Sequence, residues 1–150
     1  MDNALLKKLS ILPMRLHDIV LIQRIDQKNA MPWPFRYYFK ILTSPNFFTN
    51  IAWIKKNLVG NITYHLVKNV MHIDKILVDN SYQQWGIGGK LLEHSILEAH
   101  KKGAQNVCLN VSLSNKSAIN FYSKHQFTIE TIKPDYYSKN DDGLNMIRVL

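Results

Sequence analysis

Residues 83–90 read Gln83-Gln84-Trp85-Gly86-Ile87-Gly88-Gly89-Lys90, between a strand-like apolar segment, Ile73 to Val78, and a helix-like one, Lys90 to Lys102. A glycine-rich turn from strand into helix is a physical device for holding pyrophosphate. Glycine lets the backbone come close to a ligand, and the unpaired amides at a helix start point at an anion. The helix dipole adds partial positive charge at the same place. The Gly-x-Gly spacing is unspecific by itself, because such turns also join strands to helices with no ligand.

Further along comes Leu109-Asn110-Val111-Ser112-Leu113-Ser114-Asn115-Lys116-Ser117-Ala118-Ile119-Asn120-Phe121-Tyr122, and then Phe127. The pattern Q-x-x-G-x-G, carried by Gln83, Gly86 and Gly88, is similar to the acetyl-CoA pyrophosphate signature of the GNAT superfamily of N-acetyltransferases. The downstream stretch resembles that superfamily's later block: a strand, an Asn, a short helix with a Tyr, and a Phe. Two blocks in the right order say more than either alone. The resemblance implies an α/β (α+β) GNAT fold with a mixed central sheet of about seven strands and about four flanking helices. It further implies a sheet splayed between the strand before and the strand after the glycine-turn helix.

Composition agrees. With 150 residues the chain is expected to form one domain, residues 1–150, with a single real core. Its 46% apolar and 11% aromatic content belongs to a folded protein rather than a disordered one. No apolar run is long enough to span a membrane, and Met1 to Ser10 shows no secretory signal. Cys108 is the sole cysteine, which rules out an internal disulfide and suits a reducing compartment; a cytoplasmic location is expected. The net charge of +8 is uneven, with nine Lys or Arg in residues 1–60 against Asp2, Asp18 and Asp26. An anionic cofactor accounts for part of that bias. No basic cluster interleaves with aromatics in the way that reads nucleic acid, so no specific nucleic-acid partner is expected.

Periodicity divides the chain into alternating elements. Leu9 to Met14 reads as a strand, and Asp18 as the N-cap of a helix from Ile19 to Gln27. Met31-Pro32-Trp33-Pro34-Phe35 is a proline-broken aromatic loop before a short helix, Arg36 to Leu42. Phe48 to Ile54 and Leu58 to Val67 form a hairpin turned at Lys55-Lys56-Asn57, and Met71 to Val78 is the next strand. Leu91, Leu92, Ile96 and Leu97 make one apolar helix face, which Gly103 ends. A strand from Val107 to Leu113, a helix from Lys116 to Lys124 and two last strands around a Tyr-rich loop complete the order.

Within the superfamily the chain most resembles N-terminal protein acetyltransferases, especially the bacterial ribosomal-protein alanine acetyltransferase type. The residues carrying this are Asn29-Ala30-Met31-Pro32-Trp33, Val78-Asp79 with Tyr82-Gln83, Leu91-Leu92-Glu93-His94, and Thr131 to Tyr137. Asn80 stands where that family usually has Pro. The likeness implies an acceptor site lined by Pro32, Trp33, Phe35, Asn110, Tyr136 and Tyr137; aromatic packing alone is the plainer account of Pro32-Trp33 and Tyr136-Tyr137. It also implies acetyl-CoA as cosubstrate and a protein or peptide N-terminus as acceptor, a ribosomal protein among the candidates, in a monomer or homodimer.

The cofactor side is expected to comprise backbone amides at Leu77 or Val78 for the thioester carbonyl, and amides of Gly86, Ile87, Gly88, Gly89 and Lys90 for pyrophosphate. Gln83 would order the loop, and Asn115 would meet the pantetheine arm or cap its helix. Tyr122 matches the superfamily's general acid, since a neutral phenol can donate a proton to a thiolate. The base is where the chain departs from its relatives: they carry Glu or His where this chain has Asn110, and an amide cannot accept the proton. Counting back from the glycine motif places His72 on the preceding strand, and an imidazole with an ordinary pKa near 6.5 could take that proton. A strand-end histidine without a role fits the same position. Asp74 is the backup, with His65 and Glu130 weaker, and no metal-ligand spacing is present. Two other functions stay open: acetylation of a small amine such as a polyamine or aminoglycoside, and a non-catalytic CoA-binding module.

Overall fold

A computed structural model describes residues 3–150. In chain order the elements are α1 (Asn3–Leu6), β1 (Leu9–Pro13), α2 (Ile19–Asp26), α3 (Phe35–Leu42), β2 (Phe47–Ile54), β3 (Asn57–Val67), β4 (Val70–Val78), α4 (Ile87–Lys101), β5 (Asn106–Ser112), α5 (Lys116–Lys124), β6 (Thr128–Ser138) and β7 (Asp141–Val149). Short 3-10 turns cover Leu16–Asp18 and Asn80–Tyr82. The seven strands form one sheet in the order β1-β2-β3-β4-β5-β7-β6. Every pairing is antiparallel except β4 with β5. The mixed, seven-stranded layout expected from the sequence is therefore present.

Apolar residues sort onto two faces. Ile62, Tyr64, Met71 and Ile73 point toward α4 and α5, where Ile87, Leu91, Leu92, Ile96, Tyr122 and Phe127 meet them. Ile51 points the other way, into a smaller cluster with Ile19 and Ile22 of α2 and Tyr38 and Ile41 of α3. Strand alternation alone produces this division.

The parallel seam is short. β4 and β5 pair only at Val70 with Asn106, Met71 with Val107 and His72 with Cys108. Just beyond, the β3–β4 register steps from Tyr64–Ile73 to Thr63–Lys75, which leaves Asp74 as the extra residue of a bulge. A bulge bends and twists its strand. From Ile73 to Val78, β4 accordingly runs beside β3 with no β5 partner, and the sheet opens.

Several local expectations need correction. Asp18 does not cap α2 with its side chain; its carboxylate accepts the Arg15 N–H at 2.8 Å and closes the preceding 3-10 turn instead. The second helix starts at Phe35, following Pro34. The glycine-turn helix starts at Ile87 rather than Lys90, since Gly88 and Gly89 take helical geometry once Gly86 has turned the chain at φ 80°. Leu97 is 55% exposed; the buried stripe runs through Ile87, Leu91, Leu92, Ser95, Ile96 and Ala99. The Tyr136-Tyr137 pair lies within β6, not in a loop. The four-residue α1 was not anticipated.

One buried group fixes the α2–α3 loop to the sheet. Asp26, fully buried at the end of α2, accepts the Tyr38 hydroxyl at 2.7 Å, the Trp33 N–H at 2.8 Å, and Lys75 Nζ at 2.7 and 3.0 Å. Lys75 Nζ also donates to the Met31 carbonyl at 3.0 Å and sits 4.3 Å from the Trp33 ring centroid. Burial pulls the Lys75 pKa below its ordinary value, and the Asp26 carboxylate opposes that shift. A buried charge is tolerated only when paired and hydrogen-bonded. Lys75→Met leaves Asp26 without its countercharge and is expected to lower stability by about 3–5 kcal/mol in urea unfolding.

Candidate active site

The glycine turn stands beside the open stretch of β4. Gln83 Nε2 donates to the Val78 carbonyl at 3.2 Å and to Asn80 Oδ1 at 3.0 Å, so this side chain closes the loop between β4 and α4. The first intrahelical bond of α4 runs from the Lys90 N–H to the Gly86 carbonyl at 3.1 Å. The amides of Ile87, Gly88 and Gly89 precede it and point out of the helix start. Gly89 is tightly fitted, whereas Gly88 would accept a Cβ in ordinary contact. A Cβ on Gly88 would meet the Phe121 ring at 3.5 Å, and one on Gly89 would meet His125 at 3.0 Å. The two sequence blocks therefore touch, with α5 packed against the turn. Lys90 is exposed, and Leu77 and Val78 are half-buried rather than core.

Across the opening stands α5. Asn115 caps it, accepting the Ala118 N–H at 3.1 Å, so the helix-cap alternative holds for its carbonyl oxygen while its Nδ2 is uncommitted. Tyr122 is 6% exposed and edge-on to Phe121 and Phe127. Burial, with a smaller contribution from nearby Tyr137, raises its pKa well above the ordinary phenol value. Tyr122 is a neutral O–H donor at every working pH.

His72, Asp74, His65 and Cys108 come together on the face of the sheet that α2 and α3 partly cover. His65 Nδ1 lies 2.7 Å from Asp74 Oδ2, and the His65 and His72 rings stack at 4.8 Å with 12° between planes. His72 Nδ1 lies 3.0 Å from Cys108 Sγ. Burial lowers the His72 pKa below 6.5; His65 lowers it further and Asp74 works against both. Burial raises the Asp74 pKa, with the His65 hydrogen bond opposing, and burial raises that of Cys108. These directions describe a neutral imidazole beside a neutral thiol, with Asp74 directed at His65.

Asn110 lies one side-chain step along the same face. Its Oδ1 accepts Lys133 Nζ and Asn145 Nδ2, both at 3.2 Å. Lys133 Nζ also lies 5.0 Å from the Tyr136 ring centroid. The Tyr pair is presented by a second irregularity: the β6–β7 register skips from Lys133–Gly143 to Ser138–Asp141. Asp135 has φ 50° there; its N–H donates to Asp142 Oδ1 at 2.9 Å and its Oδ1 accepts the Asn140 N–H at 2.6 Å. Gly143 makes the arrangement possible, because a Cβ there would come within 2.8 Å of Tyr136.

The glycine turn thus packs against α5, which carries Tyr122 into the core, while His72 and Asn110 share the other face of the sheet, with Lys133 reaching from Asn110 toward Tyr136. Trp33 packs edge-on to Tyr37 at 4.7 Å, whereas Pro32 and Phe35 are exposed. Glu130 is exposed on β6. Sequence reasoning missed Cys108, Asp26, Lys75, Lys133, Tyr37 and Gly143. Parallel register opposite His72 was the one available signal for Cys108. The others depend on bulges or on chain packing that no spacing encodes.

Comparison with known proteins agrees with this geometry. Residues 16–127 match the model of the acetyltransferase (GNAT) family. The [ribosomal protein bS18]-alanine N-acetyltransferase of Escherichia coli (strain K12) is 42% identical over 66 residues, covering 44% of this chain and 45% of that protein. The match thus spans less than half the length of that relative. N-alpha-acetyltransferase 50 of Danio rerio is 42% identical over 126 residues, covering 79% of this chain and 75% of that protein. The crystal structure of the Escherichia coli ribosomal-protein-S18-alanine N-acetyltransferase superposes with a TM-score of 0.86 at 26% identity, covering 94% of this chain and 93% of that one. A family model matched over most of the sequence, carried by a sheet that opens beside a glycine-turn helix, makes the chain a member of the acetyltransferase (GNAT) family.

Proposed function

We propose that this protein is an acetyl-CoA-dependent N-acetyltransferase acting on the α-amine of a protein or peptide N-terminus, in the cytoplasm, with ribosomal proteins among the acceptors. The observation that carries the reading is the opening of the sheet beyond His72 and Cys108, bordered by the glycine turn and by the Tyr136-Tyr137 bulge. The residues present fit the cosubstrate. Free amides at Ile87, Gly88 and Gly89 suit the pyrophosphate, and the unpaired stretch of β4 through Leu77 and Val78 offers backbone groups to the thioester. Asn115 has a free Nδ2 for the pantetheine arm.

Bound acetyl-CoA supplies the activated acetyl group. The chain's own residues then have three tasks. The acceptor amine must be held and must lose a proton; in the tautomer that carries its hydrogen on Nδ1, toward Cys108 Sγ, His72 has its Nε2 lone pair for that proton, directly or through a water. As the new C–N bond forms and the C–S bond breaks, the leaving sulfur takes the Tyr122 hydroxyl proton. Trp33, Phe35, Asn110, Tyr136 and Tyr137 wall the acceptor and exclude water. Positioning of this kind supplies much of the rate.

His72 is active when neutral, and burial together with His65 lowers its pKa, so the acidic limb of kcat should lie below pH 6.5. His72→Gln should remove that limb and lower kcat by about a hundredfold or more, measured across a pH series with a saturating peptide. An unchanged profile would remove His72 from the chemistry.

The reading itself is tested by CoA release with acetyl-CoA and a mixed library of N-terminal peptides, beside polyamines and an aminoglycoside. Turnover confined to peptides is expected. Turnover confined to small amines would overturn the acceptor assignment, and CoA binding without turnover on any amine would make the protein a binding module.

A further inference from the structure

Beside Trp33, a surface pocket of about 570 Å³ is lined by Trp33, Pro34, Arg36, Tyr37 and Lys40. Its floor is aromatic and its rim is cationic. Arg36 and Lys40 lie one turn apart on α3 and share a side of the helix. Neither has a carboxylate partner among the described residues. Other cations nearby are committed: Lys75 to Asp26, Lys28 to Asp79 at 3.4 Å, and Lys133 to Asn110. The nearby acids are committed as well, Asp26 to three donor groups and Asp74 to His65. The field over the pocket is thus set by two unneutralised positive charges.

Tyr37 joins the pocket to the β4 bulge. Trp33 and Tyr37 pack edge-on, and Tyr37 lies close enough to Asp74 for that carboxylate to help raise its pKa, after burial. Around α3, Phe35, Tyr37 and Phe39 are each more than a third exposed, with Tyr37 on the pocket side and Phe35 and Phe39 on the other. Aromatic rings flanked by Arg are the residue types that anchor protein segments.

We propose that this pocket holds an acidic segment of the acceptor chain, a few residues downstream of the amine that is acetylated. The inference rests on the N-terminal acceptor reading and adds a substrate class to it: N-termini followed by Asp or Glu. Two isolated cations one turn apart suit one or two carboxylates, whereas a nucleic-acid track would need a longer run of free charge.

The test uses acetyl-CoA turnover by the full chain on peptides that share their first two residues and carry glutamates, serines or lysines at the next few positions. KM for the glutamate peptide should be about tenfold below that for the lysine peptide, with kcat similar, and the gap should narrow as salt rises. Arg36→Glu combined with Lys40→Glu should invert the order; both side chains are exposed, so the fold is not at risk. Equal KM values for the wild type would overturn the proposal. If no peptide is turned over, anisotropy of a fluorescein-labelled acidic peptide still decides it. Binding lost in the double variant supports the pocket while the acceptor reading fails, and no binding overturns both. Displacement of that peptide by a tighter-binding single-stranded RNA would overturn the assignment in favour of nucleic acid.

Discussion

The carboxylate of Asp26 organises the α2–α3 side of this molecule. It is sealed from solvent, yet it binds an ammonium, a phenol and a backbone amide that come from three different parts of the chain. Proline breaks at Pro32 and Pro34 give the α2–α3 segment no regular structure of its own, so its position must come from tertiary bonds. Those bonds run through one acid to Lys75, which is also the first residue beyond the β4 bulge. The loop is thereby tied to the point where the sheet opens, and Trp33 takes its place over the cleft because Asp26 holds its N–H.

The bulge at Asp74 links this anchoring to chemistry. It ends the parallel seam, frees the last part of β4, and turns Asp74 toward His65. Stacked rings then leave one histidine paired with a carboxylate and the other, His72, facing a thiol. Asn110, an amide that cannot take up a proton, accepts hydrogen bonds from Lys133 and Asn145. His65 and His72 each keep one ring nitrogen without a hydrogen-bond partner among the described residues, and of the two only His72 is free of the Asp74 carboxylate.

Much of this was legible beforehand. Strand alternation and helical periodicity located the long elements from β1 to α5 within a few residues, because each buries one face on the sheet; the last two strands were expected without bounds. Gly86, Gly88 and Gly89 announced the turn from β4 into α4, and the Asn115-to-Tyr122 block announced α5. Errors fell where local preference lost to tertiary bonding. Asp18 has the chemistry of a helix cap but spends its carboxylate on Arg15. Leu97 fits an apolar stripe, yet it rotates out of the face that Ser95 and Ala99 share. Tyr136 and Tyr137 read as a loop because of Pro134 and Asp135; β7 nevertheless holds both ends of that stretch in the sheet, and only the missing Cβ of Gly143 admits Tyr136. The roles of Asp26 and Lys75 were invisible, since nearly fifty residues separate the partners and neither lies in a motif.

The three-pair seam between β4 and β5 has a consequence for assembly. On its first side, β1 to β4 pair residues 9–78 in a meander of neighbours; on its other side, β5, β7 and β6 pair only within residues 106–149. The chain distance that the seam closes, from Val70 to Asn106, is comparable to that from Pro13 to Asn50 in β1–β2 or from Asn106 to Val149 in β5–β7, so loop-closure entropy does not single it out. Its ladder does: it is the shortest in the sheet, which makes it the first pairing to yield. The opening thus sits beside the weakest ladder of the sheet, where the two sides are joined by the packing of α4 and α5 beneath them more than by backbone hydrogen bonds.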